Sequence, residues 1–239
     1  MKKFRNASWI TAIFNHLLSH LPTQDRLSLL ALGERVSLMA KDVLQEAYQP
    51  SAHVYFPVTA VLSLFSTIEG RAGLQTHMVG PEGMLGVHVV LGQARPSVAA
   101  VVQSDGWAWR IKTHVLAHQL QASPALKRVL DLYALVLIDQ LTISTACMRY
   151  HTIEQRLARW LLMCQDRVGS SQFCITQETL SDLLGVRRVG VTNAASDFKT
   201  YRFIEYDRGK LQVLDRAGLE KATCCCYTID KKIYTDLLD

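Results

Sequence analysis

The stretch TQETLSDLLGVRRVGVTNAASDF, Thr176 to Phe198, constrains the fold more than any other part of the chain. It holds two short amphipathic segments separated by a single glycine, Gly185. Thr176 is a good helix N-cap, because its hydroxyl oxygen can accept a free amide of the first turn. Glu178 in that turn suits the positive end of the helix dipole. Leu180, Leu183 and Leu184 supply an inward face, and Val191, Ala194, Ala195 and Phe198 do the same for the second segment. Arg187, Arg188, Thr192 and Asn193 are left outside, near the N-terminal half of the second helix. The segment FIEYDRGKLQVLD that follows reads as a β-hairpin with Asp207, Arg208 and Gly209 in its turn.

Helix, turn, helix, hairpin is the order of a winged helix-turn-helix. In such motifs the first residues of the second helix enter the major groove of DNA. Arginine matches the O6 and N7 edge of guanine, and asparagine the N6 and N7 edge of adenine. Arg187, Arg188, Thr192 and Asn193 are therefore the candidate base readers. Thr176, Gln177, Lys199, Arg208 and Lys210 are the candidate phosphate contacts. Placement carries this reading, since residues 151–239 as a whole hold 13 basic against 12 acidic side chains. Two other readings stay open: a helical hairpin whose arginines are merely solvated, and a small-molecule or redox-sensing binding protein whose winged helix mediates protein contacts.

Upstream, residues 8–47 carry helical periodicity, with Leu27, Leu30, Val36 and Leu38 among polar residues and a helix start at Pro22-Thr23. From His53 the period changes to two. HVYFPVTAVLSLFST, LQTHMV, SVAAVVQ and WAWRIK read as short strands, with IEGRAG as a hairpin turn. Strands at this spacing predict a small barrel or roll.

From Ser123-Pro124 to about Met148 the pattern is helical again. Leu126, Leu130, Tyr133, Leu137, Leu141, Ser144 and Met148 fall at near-heptad spacing, with Val129, Val136, Ile138 and Ile143 on a second apolar flank. One flank can cover the roll, and the other can pair with a second copy of the chain as a dimer helix. A helix buried within one large monomer is the alternative. Thr152 and Gln155 then form a capping box at the start of the next helix. The expected organisation is residues 1–124 as N-terminal helices and β-roll, 125–150 as the dimerisation helix and 151–239 as the winged helix, an α+β fold.

The chain has 239 residues, of which 49% are hydrophobic, enough for a sizeable core. The net charge of +5 permits an anionic partner without requiring one. The most apolar long run contains Asp131 and Asp139, which argues against a membrane span. The basic N-terminus lacks the apolar core and cleavage site of an export signal, so a cytoplasmic location with reduced thiols is expected. No nucleophile–base pair, P-loop or dinucleotide fingerprint is present, so no enzyme and no catalytic residue is assigned. The eight histidines are scattered. Cys224, Cys225 and Cys226 read on a helix would point about 100° apart and could not share one ion, so no metal site is assigned. Cys147, on the predicted dimer seam, could form an intersubunit disulfide.

The segments HVYFPVTAVLSLF, VGPEGMLGV, HTIEQRLARWLL and TQETLSDLLGVRRVGVTNAA together resemble the Crp/Fnr superfamily of bacterial transcription regulators. The resemblance covers nearly the whole chain and implies a cyclic-nucleotide-binding-like β-roll (a jelly roll), a long central dimerisation helix and a C-terminal winged helix. It also implies a homodimer that binds a near-palindromic site on double-stranded DNA and acts on RNA polymerase. A cyclic nucleotide is the effector the resemblance suggests, with Gly83, Met84, Gly86, Arg95 and Ser97 at the matching positions of the pocket. The residues depart from that pattern. Met84 stands where an acidic residue should hold the ribose, and a thioether is a poor hydrogen-bond acceptor. Pro96 separates Arg95 from Ser97 and lacks the N–H of a phosphate clamp. Glu82 lies two residues early and would point elsewhere. No cofactor is evident on these grounds, a cyclic nucleotide is not expected, and the roll is expected to be an orphan sensor or one of unknown effector. In the reading helix, Val189 replaces the acidic residue that follows the arginine in the best-known members, which implies a different operator.

Overall fold

A computed structural model describes residues 15–67 and 73–238 of the chain. Two short helices open it, α1 (His16–Ser19) and α2 (Thr23–Ala31). Asn15 caps α1 by accepting the Leu18 amide, and its own amide donates to the carbonyls of Pro57 and Gly83. Strands β1 (Glu34–Leu38), β2 (Val43–Gln45), β3 (His53–Pro57), β4 (Val61–Ser66) and β5 (Leu74–Val79) follow. A short helix α3 (Val87–Val90) precedes β6 (Ala99–Ser104) and β7 (Gly106–Lys112). The strands form two antiparallel sheets, β2-β6-β4-β5 and β1-β7-β3, packed as the expected roll. The turn predicted at IEGRAG falls largely outside the described residues, but Ser66 pairs with Leu74 across it.

The helical reading of residues 34–47 is corrected: this segment is β1 and β2. Val36 and Leu38 lie two residues apart and both face the core of the roll, which a strand achieves and a helix does not. Leu27, expected inside, is 54% exposed. The part of that reading before residue 15 lies outside the described residues. Helix α4 (Thr113–Ala122), which the sequence pattern did not announce, leads into α5 (Pro124–Tyr150). Ser123 caps α5 by accepting the Leu126 amide, and Pro124 occupies the first turn, where a missing N–H costs nothing.

The C-terminal part contains α6 (Ile153–Val168), β8 (Gln172–Cys174), α7 (Gln177–Leu184), α8 (Arg188–Thr200), β9 (Ile204–Asp207), β10 (Lys210–Val213), α9 (Arg216–Ala222) and α10 (Cys226–Leu238). The capping box of Thr152 and Gln155 forms as read from the sequence. The winged sheet gains a third strand, in the order β8-β10-β9. Its core reaches into the roll, since Val61 and Met78 pack with the buried faces of α6, α7 and α8. Trp160 donates to the Gln75 side chain at 2.8 Å, and Arg167 pairs with Glu82 at 2.7 Å, both across the two parts.

The predicted dimer seam is corrected. Leu126, Leu130, Tyr133 and Leu137 are buried in the chain's own core beneath the roll and α1–α4. Ser144 accepts a hydrogen bond from Arg159 at 3.0 Å. Only Leu141 and Met148 of the predicted set are exposed. In the second half of α5 the covered side rotates, because α10 lies there over Gln140 and Cys147. The open flank is Leu135, Ile138, Thr142, Thr145 and Arg149, three and four residues apart. By length and composition α5 could cross a membrane. Its other faces pack on the roll and α10 instead. Cys147 is 1% exposed and faces Cys224, so it does not lie on a seam where an intersubunit disulfide could form. The hydrogen bond with Cys224 holds the Cys147 thiol below its ordinary pKa.

Candidate nucleic-acid interface

The turn between α7 and α8 depends on Gly185. Its φ of +61° lies in the left-handed region. A Cβ there would also come within 2.6 Å of Leu74 Cδ1 from β5. Thr176 caps α7 by accepting the Thr179 amide at 3.1 Å. Leu180, Leu183, Leu184, Val191, Ala194, Ala195 and Phe198 are all buried, so the two helices pack through the face the periodicity assigned. Arg156 of α6 donates to the Leu184 carbonyl and anchors the turn.

This packing turns the other face of α8 outward. Arg187, Arg188, Thr192 and Asn193 are all exposed, and Val189 beside them is 63% exposed. Arg187 sits at the N-cap of α8 without a side-chain cap, so the positive end of the helix is open to an anion. The Thr192 hydroxyl lies 2.8 Å from Gln177 Oε1 and 3.0 Å from the Arg188 carbonyl, which fixes its rotamer. The wing closes through Arg208 and Gly209, with φ of +46° and +81°, the pattern of a two-residue type I′ turn. Tyr206 donates to the Ile175 carbonyl at 2.9 Å and fastens the wing to β8.

Of the candidate phosphate contacts, Arg208 and Lys210 are exposed on the wing. Thr176 and Gln177 stand at the start of α7, engaged in capping and in the contact with Thr192. Lys199 is tied internally, to Glu205 at 3.3 Å and the Tyr206 carbonyl at 3.0 Å.

The candidate effector residues divide between core and surface. Met84 is 1% exposed in the core, whereas Arg95 and Ser97 are exposed on a surface loop. A Cβ on Gly83 would fall 2.1 Å from the Tyr133 hydroxyl, so α5 presses directly on this loop. Tyr133 donates to the Met84 carbonyl at 3.4 Å, and burial pushes its phenol well above the ordinary pKa. Gly86, at φ +108°, starts α3. Glu82 points to Arg167 and accepts the Gly80 amide. A separate cleft of about 130 Å³ lies between β5 and α5–α7, lined among others by His77, Gln140, Arg159 and Asp230. Ligand pockets are commonly at least about 300 Å³.

The chain is a β-roll joined through one long helix to a winged helix whose second helix, α8, opens on exposed arginines. Residues 155–222 match the family model of the Crp-like helix-turn-helix domain. Among solved structures of the same architecture is FixK2 from Bradyrhizobium japonicum, 15% identical, with a TM-score of 0.68 over 80% of this chain and 98% of that one. CLP from Xanthomonas campestris, a c-di-GMP-responsive global regulator, is 12% identical, with a TM-score of 0.67 over 81% and 100%. A Crp/Fnr-family transcriptional regulator from Thermus thermophilus is 19% identical, with a TM-score of 0.62 over 79% and 97%. No curated protein sequence matches the chain. Residues 155–222 are thus a Crp-like helix-turn-helix domain, and the chain as a whole shares the fold of these regulators.

Proposed function

We propose that the chain works as a homodimer that reads a near-palindromic DNA site, with Arg187, Arg188, Thr192 and Asn193 at the base edges. The observation that carries this reading is the exposure of these four side chains around the open end of α8. Arg208 and Lys210 on the wing, with the start of α7 at Thr176 and Gln177, hold phosphates on either side. The dimer forms along the open flank of α5. There the Thr142 and Thr145 hydroxyls donate back to the carbonyls of Ile138 and Leu141, which leaves their methyl groups to pack with a partner. The dimer axis along α5 then sets the spacing of two reading helices to about one turn of DNA.

The regulator is cytoplasmic, has no catalytic role and acts on RNA polymerase. Its roll is an orphan sensor or one of unknown effector, closed to a cyclic nucleotide where Tyr133 takes the Met84 carbonyl and Arg167 takes Glu82. The domains are those read from the sequence, residues 1–124, 125–150 and 151–239. Selection of bound fragments from sheared bacterial DNA, followed by anisotropy across a salt series, tests the reading. The expected result is a shared palindrome with a steep salt slope. Arg188→Ala should cost about 1–3 kcal/mol on that site and little on random DNA. Equal loss on both would reduce Arg188 to a phosphate contact.

A further inference from the structure

Four side chains outside the DNA-binding surface meet where α5 ends. Cys147 and His151 are four residues apart, so they share one side of that helix. The His151 amide still donates to the Cys147 carbonyl, which keeps the helical turn between them. Cys224 and Cys225 lie in the link between α9 and α10, and Cys226 is the first residue of α10. Because the link is not helical, Cys224 and Cys226 face the same point while Cys225 is exposed. Cys147 Sγ lies 3.6 Å from Cys224 Sγ, and Cys226 Sγ lies 3.6 Å from His151 Nδ1. All four ligand atoms lie within 4.8 Å of one another.

We propose that Cys147, His151, Cys224 and Cys226 form a site for one tetrahedral divalent ion of the zinc type, which clasps the end of α5 to the start of α10. Zinc bonds of about 2.3 Å to sulfur and 2.0–2.1 Å to nitrogen, at the tetrahedral angle, set two sulfurs ~3.8 Å apart and a sulfur ~3.6 Å from a nitrogen. The two observed separations match these within a few tenths of an ångström. A disulfide would bring two sulfurs to about 2.05 Å, and all the cysteines are free thiols. An iron–sulfur cluster distributes its four ligand atoms over two or more iron atoms and so spreads them wider than this group. Thiolate and imidazole ligands select a soft or borderline ion over magnesium or calcium.

The surroundings are suited to the charge. Three thiolates and a neutral imidazole leave a zinc site with one net negative charge. Arg159 is buried beside Cys147, and Arg156 lies on the same face of α6. Arg159 is itself held by Asp230 of α10 and by Ser144 of α5, so a hydrogen-bonded outer layer is already built. Burial is the other half of the design: the three thiols are 1–4% exposed.

The test is a cobalt(II) titration of the reduced full-length protein under anaerobic conditions, followed by displacement with zinc(II). One cobalt per chain is expected, with the intense thiolate charge-transfer and visible bands of a tetrahedral site, both lost on adding zinc. Zinc should also raise the melting temperature, because the assembled site binds it more tightly than the unfolded chain does. Cys226→Ser and His151→Ala should each weaken cobalt more than about 100-fold, beyond the effect of losing an outer-layer partner. Cys225→Ser and Cys174→Ser should leave it unchanged. Absence of the one-to-one thiolate spectrum in the reduced protein overturns the proposal. So does an unchanged spectrum in Cys226→Ser, or an equal loss in Cys225→Ser. Circular dichroism separates loss of ligand from loss of fold. If a cysteine variant fails to fold, the half-exposed His151 carries the same test.

Discussion

The loop at residues 80–86 and the start of α8 are both short and glycine-punctuated, and each carries the polar groups of a binding site. Their fates differ. In the loop, Glu82 is paired with Arg167, Gly83 lies under Tyr133 and Met84 is in the core. At α8, the neighbouring helix takes the apolar side and one polar contact, Gln177 with Thr192, and Arg187, Arg188 and Asn193 remain in solvent. A binding motif is usable only if its polar groups have no better partner within the chain. By that measure the start of α8 is open to a ligand, and the loop serves as a joint between roll and winged helix.

The ion pair of Arg167 and Glu82 links the two sides of that joint, with both side chains largely buried. Removing one partner strands the other charge, so Arg167→Ala should cost about 3–5 kcal/mol in urea unfolding. Tyr234 also donates to the Glu82 carbonyl, so α10 should loosen with the loop. A loss below about 1 kcal/mol would mean that Glu82 finds water and that the loop is not held shut by this pair.

A second contrast runs within α5 itself, between adjacent residues. Leu137 is 8% exposed and packs beneath the roll, whereas Ile138 is 57% exposed on the open flank. Leu137→Ala should lower stability by about 2–5 kcal/mol and leave the oligomeric state unchanged. Ile138→Asp should leave the chain folded and shift it from dimer to monomer in sedimentation, because a seam position rejects a charge. A dimer that survives Ile138→Asp but fails with a charge at Leu141, an exposed member of the predicted set, would restore the seam read from the sequence.

Those two residues mark where the sequence stopped being legible. The caps at Ser123, Thr152 and Thr176, the turn at Gly185 and the wing turn at Arg208-Gly209 all formed where local chemistry put them. Each depends on residues within four positions of one another. The seam register does not, since it is set by what lies over α5, and α10 is nearly 80 residues away in the chain. The strands at Glu34–Leu38 and Val43–Gln45 were hidden for a related reason. They are too short for a period of two to stand out beside a helix, and their pairing partners are β7 and β6. The thiol cluster was misread through a local assumption, that residues 224–226 continue a helix, whereas the break at Cys224 lets two of the three converge.

A smaller effect tests the open side of the comparison. Arg208 is exposed at the tip of the wing, with no base-reading role assigned. Arg208→Ala should weaken specific and random DNA alike and reduce the magnitude of the salt slope by about 1. Weakening confined to the specific site would move the wing from phosphate contact to base readout.

The smallest expected effect is the most direct probe of the closed side. Cyclic AMP at saturating concentration should leave the melting temperature of the wild-type protein unchanged, since a ligand stabilises only in proportion to its binding. The physical ground is that neither Met84 nor Glu82, the candidates at the matching loop, offers a free ribose acceptor. Met84 offers a buried thioether, Glu82 is neutralised by Arg167, and the Arg95 loop is on the surface, away from Met84 in the core. The same measurement on Met84→Glu separates two explanations for the loss. If the carboxylate restores a shift, the missing acceptor alone silenced the pocket. If it only destabilises the chain, as an unpaired buried charge should, then Tyr133 pressing on Gly83 has closed the space, and any signal to α5 must enter the molecule by another route.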